Sequence, residues 1–243
     1  MRSTAAVLGS PISHSLSPTI HNFLYRKFQL EYEYIAVEVK EMEFREWIRS
    51  ALTETDQWFG FSLTMPLKEL ICDSGLSDCI TLDSEAKRIE SANTIYRSDE
   101  NWHALSTDLL AFQYLLGKYS FDSILMIGAG ATARAAICAI EKLGFGKKTR
   151  VQVLRRDNKR DARFISAAGG VQVDFREWDR FKDWGNFDLV INTVPNEGVV
   201  AVSENFPGCG VLMDAIYSPW PPALTETQMS LRKPIISGLE LLT

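Results

Sequence analysis

Apolar and polar positions along this chain follow two rhythms, one of period two and one of three to four, and the changes between them mark the elements. Ala5-Ala6-Val7-Leu8-Gly9 is a short apolar run of the length of a buried strand, followed by the polar stretch from Ser10 to Pro18. Ile20, Phe23, Leu24 and Phe28 then recur at helical spacing, and Ile35, Val37 and Val39 alternate as in a strand. Phe44, Trp47, Ile48, Ala51 and Leu52 form the stripe of an amphipathic helix. Trp58 to Leu63 reads as a strand ending in the polar turn Thr64-Met65-Pro66-Leu67-Lys68-Glu69, with Pro66 near the start of a short helix. Ser91 to Tyr96 reads as a strand, and Asp99-Glu100-Asn101 turns the chain back into Trp102-His103-Ala104-Leu105. Leu109, Leu110, Phe112, Leu115 and Leu116 define the next helix.

A fifth strand-to-helix unit begins at Ile124-Leu125-Met126-Ile127. It passes through Gly128-Ala129-Gly130 into Ala131-Thr132-Ala133, with strong helix formers continuing to Leu143. The helix is apolar nearly all round, so burial is expected, and a further strand, Val151 to Leu154, follows at crossover distance. A G-x-G-x-x-A loop in this context is how a dinucleotide site begins. The first glycine allows the tight turn, the second lets the backbone approach a pyrophosphate, and the helix N-terminus favours its negative charge. Strands alternating with helices make the chain α/β.

Composition narrows the class. The chain has 243 residues, 46% hydrophobic and 23% charged, an ordinary globular balance that holds one large or two moderate domains. A net charge of −5 argues against a nucleic-acid partner. Cys72, Cys79, Cys138 and Cys209 show no C-x-x-C spacing, so reduced thiols in a cytoplasmic protein are expected, with no zinc or other metal site. No apolar run approaches the ~18 residues of a membrane helix, and the N-terminus has no signal-like core.

Several polar residues stand where chemistry is possible. Ser17 before Pro18 reads as an N-cap and first-turn pair, while Ser15 has no such duty; two hydroxyls flanking a helix start suit a carboxylate. Lys68 falls in the first turn of its helix, where the dipole opposes a cation, which suits a proton-transferring lysine better than a structural one; a solvated surface lysine is the alternative. Asp108 is placed either to cap the following helix or to stand at the base of an interdomain cleft. His14 and His21 flank the serine loop and His103 is isolated, and none has metal-ligand spacing.

Taken together, these segments resemble the shikimate/quinate dehydrogenase family. The resemblance rests on Ser13-His14-Ser15-Leu16-Ser17-Pro18, Thr64 to Glu69, Ala92-Asn93-Thr94, Ser106-Thr107-Asp108 and Gly128 to Ala133, in the family's order and spacing. Asn192-Thr193, Asp214-Ala215-Ile216-Tyr217, Pro219-Trp220-Pro221-Pro222 and Ser237-Gly238-Leu239 extend it over nearly the whole chain. It implies a two-domain α/β enzyme of aromatic amino acid biosynthesis that interconverts shikimate and 3-dehydroshikimate with NADP. Residues 1–106 would form the substrate domain and 107–237 a Rossmann-like cofactor domain. Residues 238–243 would begin the return to the first, with the reaction in the cleft between.

Carried over by position, Lys68 and Asp108 would do the proton work. Ser15 and Ser17 would bind the substrate carboxylate, and Thr64, Asn93 and Tyr217 would help to hold the substrate. Cofactor contacts would come from Gly128, Ala129, Gly130, Ala131, Thr132, Thr193, Ala215 and Gly238. For the 2′-phosphate, the position where NAD sites carry an acid is Arg155, followed by Arg156 and Arg160, so NADP is expected over NAD; Asp157 is the competing feature. The family's usual Asn-Arg-Thr is here Arg155-Arg156-Asp157, and its Asn-Ala-Thr is Asn192-Thr193-Val194. The family's later glutamine and returning helices lie beyond Thr243. The expected partners are small molecules, with no nucleic acid or membrane, in a monomer or homodimer. The alternatives are an NAD-using quinate/shikimate dehydrogenase and a non-catalytic substrate-binding relative with a truncated tail.

Overall fold

The computed structural model describes residues 3–73, 75–145, 149–181 and 184–243. The chain divides into two compact units, Met1–Thr107 and Asp108–Thr243.

The first unit is built on a six-stranded mixed sheet in the order β2-β1-β3-β5-β6-β4. Its strands are β1 (Ser3–Gly9), β2 (Tyr32–Glu38), β3 (Trp58–Leu63), β4 (Ile80–Leu82), β5 (Thr94–Ser98) and β6 (Asn101–Leu105). β1 runs parallel to both β2 and β3, and β5 is antiparallel to β3 and β6. The helices are α1 (Ser17–Lys27), α2 (Phe44–Thr53), α3 (Leu67–Asp73) and α4 (Ser84–Ile89). α2 buries Phe44, Ile48, Ala51 and Leu52, the stripe expected from its spacing, against Trp58, Phe61 and Trp102.

α1 has the expected helical spacing but not the expected burial, for Phe23 is 55% and Phe28 63% exposed. The side that meets the sheet is polar and aromatic. The Asn22 amide donates to Tyr34 O at 2.7 Å and accepts from Tyr34 N–H at 3.0 Å, which satisfies the outward groups of edge strand β2. His21 stacks on Tyr34 with ring centroids 4.1 Å apart, and burial lowers its pKa. The Tyr34 hydroxyl, pushed up to about 12 by burial, lies 2.6 Å from Ser62 Oγ.

The second unit is an all-parallel sheet in the order β12-β11-β10-β7-β8-β9, which is the doubly wound order of dinucleotide-binding folds. Its strands are β7 (Ser123–Ile127), β8 (Arg150–Arg155), β9 (Val173–Glu177), β10 (Leu189–Asn192), β11 (Val211–Asp214) and β12 (Ile235–Ile236). Its helices are α5 (Thr107–Leu116), α6 (Ala131–Lys142), α7 (Asp161–Ala168), α8 (Asn196–Ser203), α9 (Ala223–Ser230) and α10 (Gly238–Leu242). Ile124 to Ile127 are fully buried, and in α6 every residue from Ala133 to Ile140 is buried, Arg134 included. α10, held by a capping box between Ser237 and Glu240, groups with the second unit rather than with the first. Among the described residues no helix is long and apolar enough to cross a membrane, and no group of three or more His, Cys, Asp or Glu is arranged to hold a metal ion.

Candidate active site

In the first unit a series of backbone bonds ties together the segments that carry the expected substrate residues. Ser10 N–H donates to Met65 O at 3.1 Å and Thr64 N–H to Leu8 O at 2.9 Å, joining the serine loop to the turn after β3. Leu67 N–H donates to Thr64 O at 2.8 Å where α3 begins. Ala92 N–H donates to Lys68 O at 3.0 Å, and Leu63 N–H to Asn93 O at 2.8 Å. Ser15, Ser17, Thr64, Lys68 and Asn93 thus sit on segments bonded to one another at the ends of β1, β3 and β5. Lys68 is the second residue of α3 and half-buried.

Two local expectations need correcting. Leu16, not Ser17, is the N-cap of α1; it has helical backbone angles and makes no side-chain cap bond, and Ser17 is the first helical residue and buried. Ser15 has the duty assigned to its neighbour, since its Oγ accepts from Ser17 N–H at 3.3 Å. Asp108 does not cap α5 either, for the helix already includes Thr107.

Asn93 is anchored across the chain. Its Oδ1 accepts from Thr107 N–H at 2.7 Å and its Nδ2 donates to Thr107 Oγ1 at 2.8 Å. Thr94 Oγ1 lies 3.1 Å from Thr107 Oγ1. These bonds fix the residue that immediately precedes Asp108, which is half-buried in the first turn of α5.

In the second unit the glycine loop follows β7, next to β10 at the point where the strand order reverses. Gly128 has φ +104°, and a Cβ there would stand 2.5 Å from Thr193 Oγ1 and 2.9 Å from Val194 Cγ2. The Thr193 hydroxyl donates to Ile127 O at 2.9 Å, which closes the turn after β10 against the loop. Gly130 caps α6, so the N–H groups of Ala131 and Thr132 open the helix. A loop that a single methyl would fill, leading into a buried helix, fits the pyrophosphate of a dinucleotide. Gly128→Ala is accordingly expected to destabilise the protein by roughly 1–3 kcal/mol through backbone strain and overlap with Thr193, read as a lower denaturant midpoint with unchanged slope.

The turns after β10 and β11 are joined by a buried network that sequence reasoning missed. Asn192 Nδ2 donates to Asp214 Oδ1 at 2.9 Å, and Asn192 Oδ1 accepts from Val194 N–H at 3.1 Å. Asp214 also accepts from Ile216 N–H at 3.1 Å and from Thr225 Oγ1 at 3.1 Å. Burial pushes the Asp214 carboxyl up, opposed by these donors. Ala215 N–H donates to Asn192 O at 2.9 Å. Gly238 packs on the same turn, where a Cβ would lie 2.7 Å from Ala215 O. Thr193, Ala215 and Gly238 are therefore held by one framework, and Tyr217 follows on the same turn as Ala215. Burial of both polar side chains and the adjacency of β10 and β11 are the signals, and neither is visible before the strands are paired.

The three arginines after β8 are not alike. Arg155 forms a bidentate pair with Asp161, Nε to Oδ1 at 2.7 Å and Nη2 to Oδ2 at 2.9 Å, and its guanidinium carbon lies 5.3 Å from the Phe175 ring centroid. Its expected role as a phosphate ligand thus meets a competing partner, whereas Arg156 and Arg160 are exposed. Arg160 reaches the glycine loop, its Nη1 being 3.0 Å from where a Cβ on Gly130 would be. The Asp157 carboxylate accepts from Lys159 N–H at 3.0 Å.

Residues 7–95 match the family model of the shikimate dehydrogenase substrate binding domain. The chain is similar to the crystal structure of Mycobacterium tuberculosis shikimate dehydrogenase, with a TM-score of 0.82 and 30% identity, over 99% of this chain and 89% of that one. A shikimate 5-dehydrogenase from Mycobacterium fortuitum gives a TM-score of 0.77 and 30% identity, over 100% of this chain and 89% of that one. The shikimate dehydrogenase (NADP(+)) of Caldivirga maquilingensis is 29% identical over 97% of this chain and 86% of its own length. A substrate-domain sequence, a doubly wound second unit and relatives of this one kind agree: the chain belongs to the shikimate dehydrogenase family.

Proposed function

We propose that this chain is an NADP-dependent oxidoreductase that interconverts shikimate and 3-dehydroshikimate, a step of aromatic amino acid biosynthesis in the cytoplasm. The observation that carries the reading is the set of mutually bonded turns that gather Ser15, Ser17, Thr64, Lys68 and Asn93 in a unit separate from the doubly wound one. The NADP(+) in the name of the Caldivirga relative supports the cofactor.

In the proposed mechanism the hydroxyls of Ser15 and Ser17 donate to the substrate carboxylate, and Thr64, Asn93 and Tyr217 hold the ring hydroxyls. Bound NADP supplies the hydride acceptor for shikimate oxidation. As the hydride leaves carbon, the hydroxyl proton passes to Lys68, with the Asp108 carboxylate stabilising the ammonium that forms; the reverse reaction returns that proton to the carbonyl oxygen. The glycine loop and the α6 N-terminus would hold the pyrophosphate, Thr193, Ala215 and Gly238 would contact the cofactor, and basic side chains after β8 would hold the 2′-phosphate.

Ser15→Ala is expected to raise KM for shikimate about tenfold and leave kcat nearly unchanged. A hydroxyl that holds a carboxylate remote from the reacting carbon interacts alike in ground and transition states. Because Ser15 Oγ also accepts from Ser17 N–H, the substitution costs about 1 kcal/mol at the helix start, to be followed by thermal unfolding. Lower kcat at unaltered KM would contradict the assignment. The substrate reading is tested by calorimetric titration with shikimate: heat of binding is expected, weakened in Ser15→Ala, and its absence from the unsubstituted protein would overturn the reading.

A further inference from the structure

We infer that the Arg155–Asp161 pair is a positioning element, setting cofactor preference by clamping the turn that carries Arg156 and Arg160, and that Arg155 is not itself a phosphate ligand. The inference rests on the reading of the second unit as NADP-binding. Its subject is the one arginine of the three that the structure shows engaged within the protein.

The clamp joins the last residue of β8 to the first residue of α7. Its two bonds are short and parallel, its side chains are only 13% and 21% exposed, and the guanidinium lies near the Phe175 ring on the neighbouring strand β9. Between the clamped ends the turn closes on itself: Lys159 N–H donates to Asp157 Oδ1 at 3.0 Å and Asp161 N–H to Asn158 O at 3.1 Å. Arg160 O accepts from Phe164 N–H at 2.9 Å as α7 begins. Arg156 and Arg160 project from this closed turn into solvent, and Arg160 lies beside Gly130.

Charge and geometry separate the roles. Asp161 takes two of the five N–H groups of Arg155, so a phosphate brought to the others would stand beside a partly buried carboxylate that repels it. Arg156 and Arg160 reach an anion without breaking that pair. The clamp also uses the carboxylate of Asp161 itself, so the acid joined to Arg155 is directed inward and away from the role that an acid plays for the ribose in NAD sites. Its contribution to preference is made by fixing the two exposed arginines, whose ordering then costs less when the cofactor binds.

The two roles predict opposite responses to loss of the Asp161 charge. If Arg155 positions the turn, Asp161→Asn loosens the clamp and weakens the preference. If Arg155 binds phosphate directly, Asp161→Asn releases it and keeps or strengthens the preference. The experiment is calorimetric measurement of Kd for NADP and for NAD on the whole chain, for the unsubstituted protein, Asp161→Asn, Arg155→Ala and the double variant, with thermal unfolding alongside. We expect each single change to lower the ratio of the two Kd values by about 3–30-fold, the range of couplings carried through intermediate residues, and the double to be no worse than the poorer single. An unchanged or raised NADP preference in Asp161→Asn, or additive losses in the double, overturns the inference. Should Asp161→Asn fail to fold, Arg155→Lys decides, since it keeps the charge but not the fork: a lowered preference supports positioning and a retained one contradicts it. An unsubstituted protein that binds NADP no better than NAD would overturn the cofactor reading and the inference with it.

Discussion

Alanine at Lys68 or at Asp108 is expected to lower kcat for shikimate oxidation by about 10²–10⁴-fold, with much smaller changes in cofactor Kd. Removing hydride from a carbinol carbon leaves a proton on oxygen, and near neutral pH that proton must pass to a group within hydrogen-bond reach. Lys68 is half-buried in the first turn of α3, and its carbonyl is bonded to the segment that presents Asn93, so its backbone is fixed relative to the substrate-holding turns. Asp108 begins the second unit directly after Thr107, whose N–H and hydroxyl are both held by Asn93. If the two residues transfer one proton together, losing either disables the pair, and the double variant should be little worse than the poorer single. Near-normal turnover in a folded Lys68→Ala protein would sink the assignment. Additive losses would show instead that the two act separately.

The second large effect is expected at the exposed arginines. Arg156→Ala should reduce the preference for NADP over NAD by about 10–100-fold in kcat/KM, and Arg160→Ala by a similar or smaller factor, because a charge-assisted contact to phosphate contributes roughly 1.5–3 kcal/mol. The change should appear in KM for NADP, with KM for NAD almost unaltered, because NAD has no phosphate at that position. An unchanged ratio in Arg156→Ala would remove this residue from the cofactor site. Arg160 also lies beside Gly130 of the glycine loop, so its replacement is expected to raise KM for NAD slightly as well.

The sequence was most legible where a local pattern is enough to determine structure. Trp58 to Leu63 is β3 at the expected bounds, α6 starts at Ala131 after the glycine loop, and the α2 stripe is buried as its spacing indicates. Each follows from periodicity or from the backbone freedom of glycine, which neighbours in the chain decide. The serine loop shows where such reasoning fails. A Ser-Pro pair matches a helix start, yet the helix begins one residue earlier than a Ser17 cap requires, because Leu16 already has helical angles. That shift turns Ser15 from an unassigned hydroxyl into the acceptor for Ser17 N–H.

Tertiary partners were hidden for a different reason. The pairing of Arg155 with Asp161 depends on where α7 starts, and its packing near Phe175 depends on β9 lying beside β8. Three arginines that look equivalent in sequence are thereby divided into one held inside and two presented outward. Likewise, Asn192 and Asp214 meet because β10 and β11 pair in register, Asn192 opposite Asp214. The exposed apolar side of α1 contradicts the usual meaning of its spacing, since Asn22, His21 and Tyr25 make the contacts to the strand and its neighbours.

The central claim is that a protein with these two units oxidises shikimate by handing its hydride to NADP and its proton to Lys68. The most direct measurement is the growth of reduced-nicotinamide absorbance when shikimate is added to the protein with NADP, and separately with NAD. Steady reduction that is faster with NADP, and lost in a folded Lys68→Ala variant that still binds shikimate by calorimetry, is the predicted result. Shikimate binding without reduction of either cofactor, or reduction that survives in Lys68→Ala, would contradict the account.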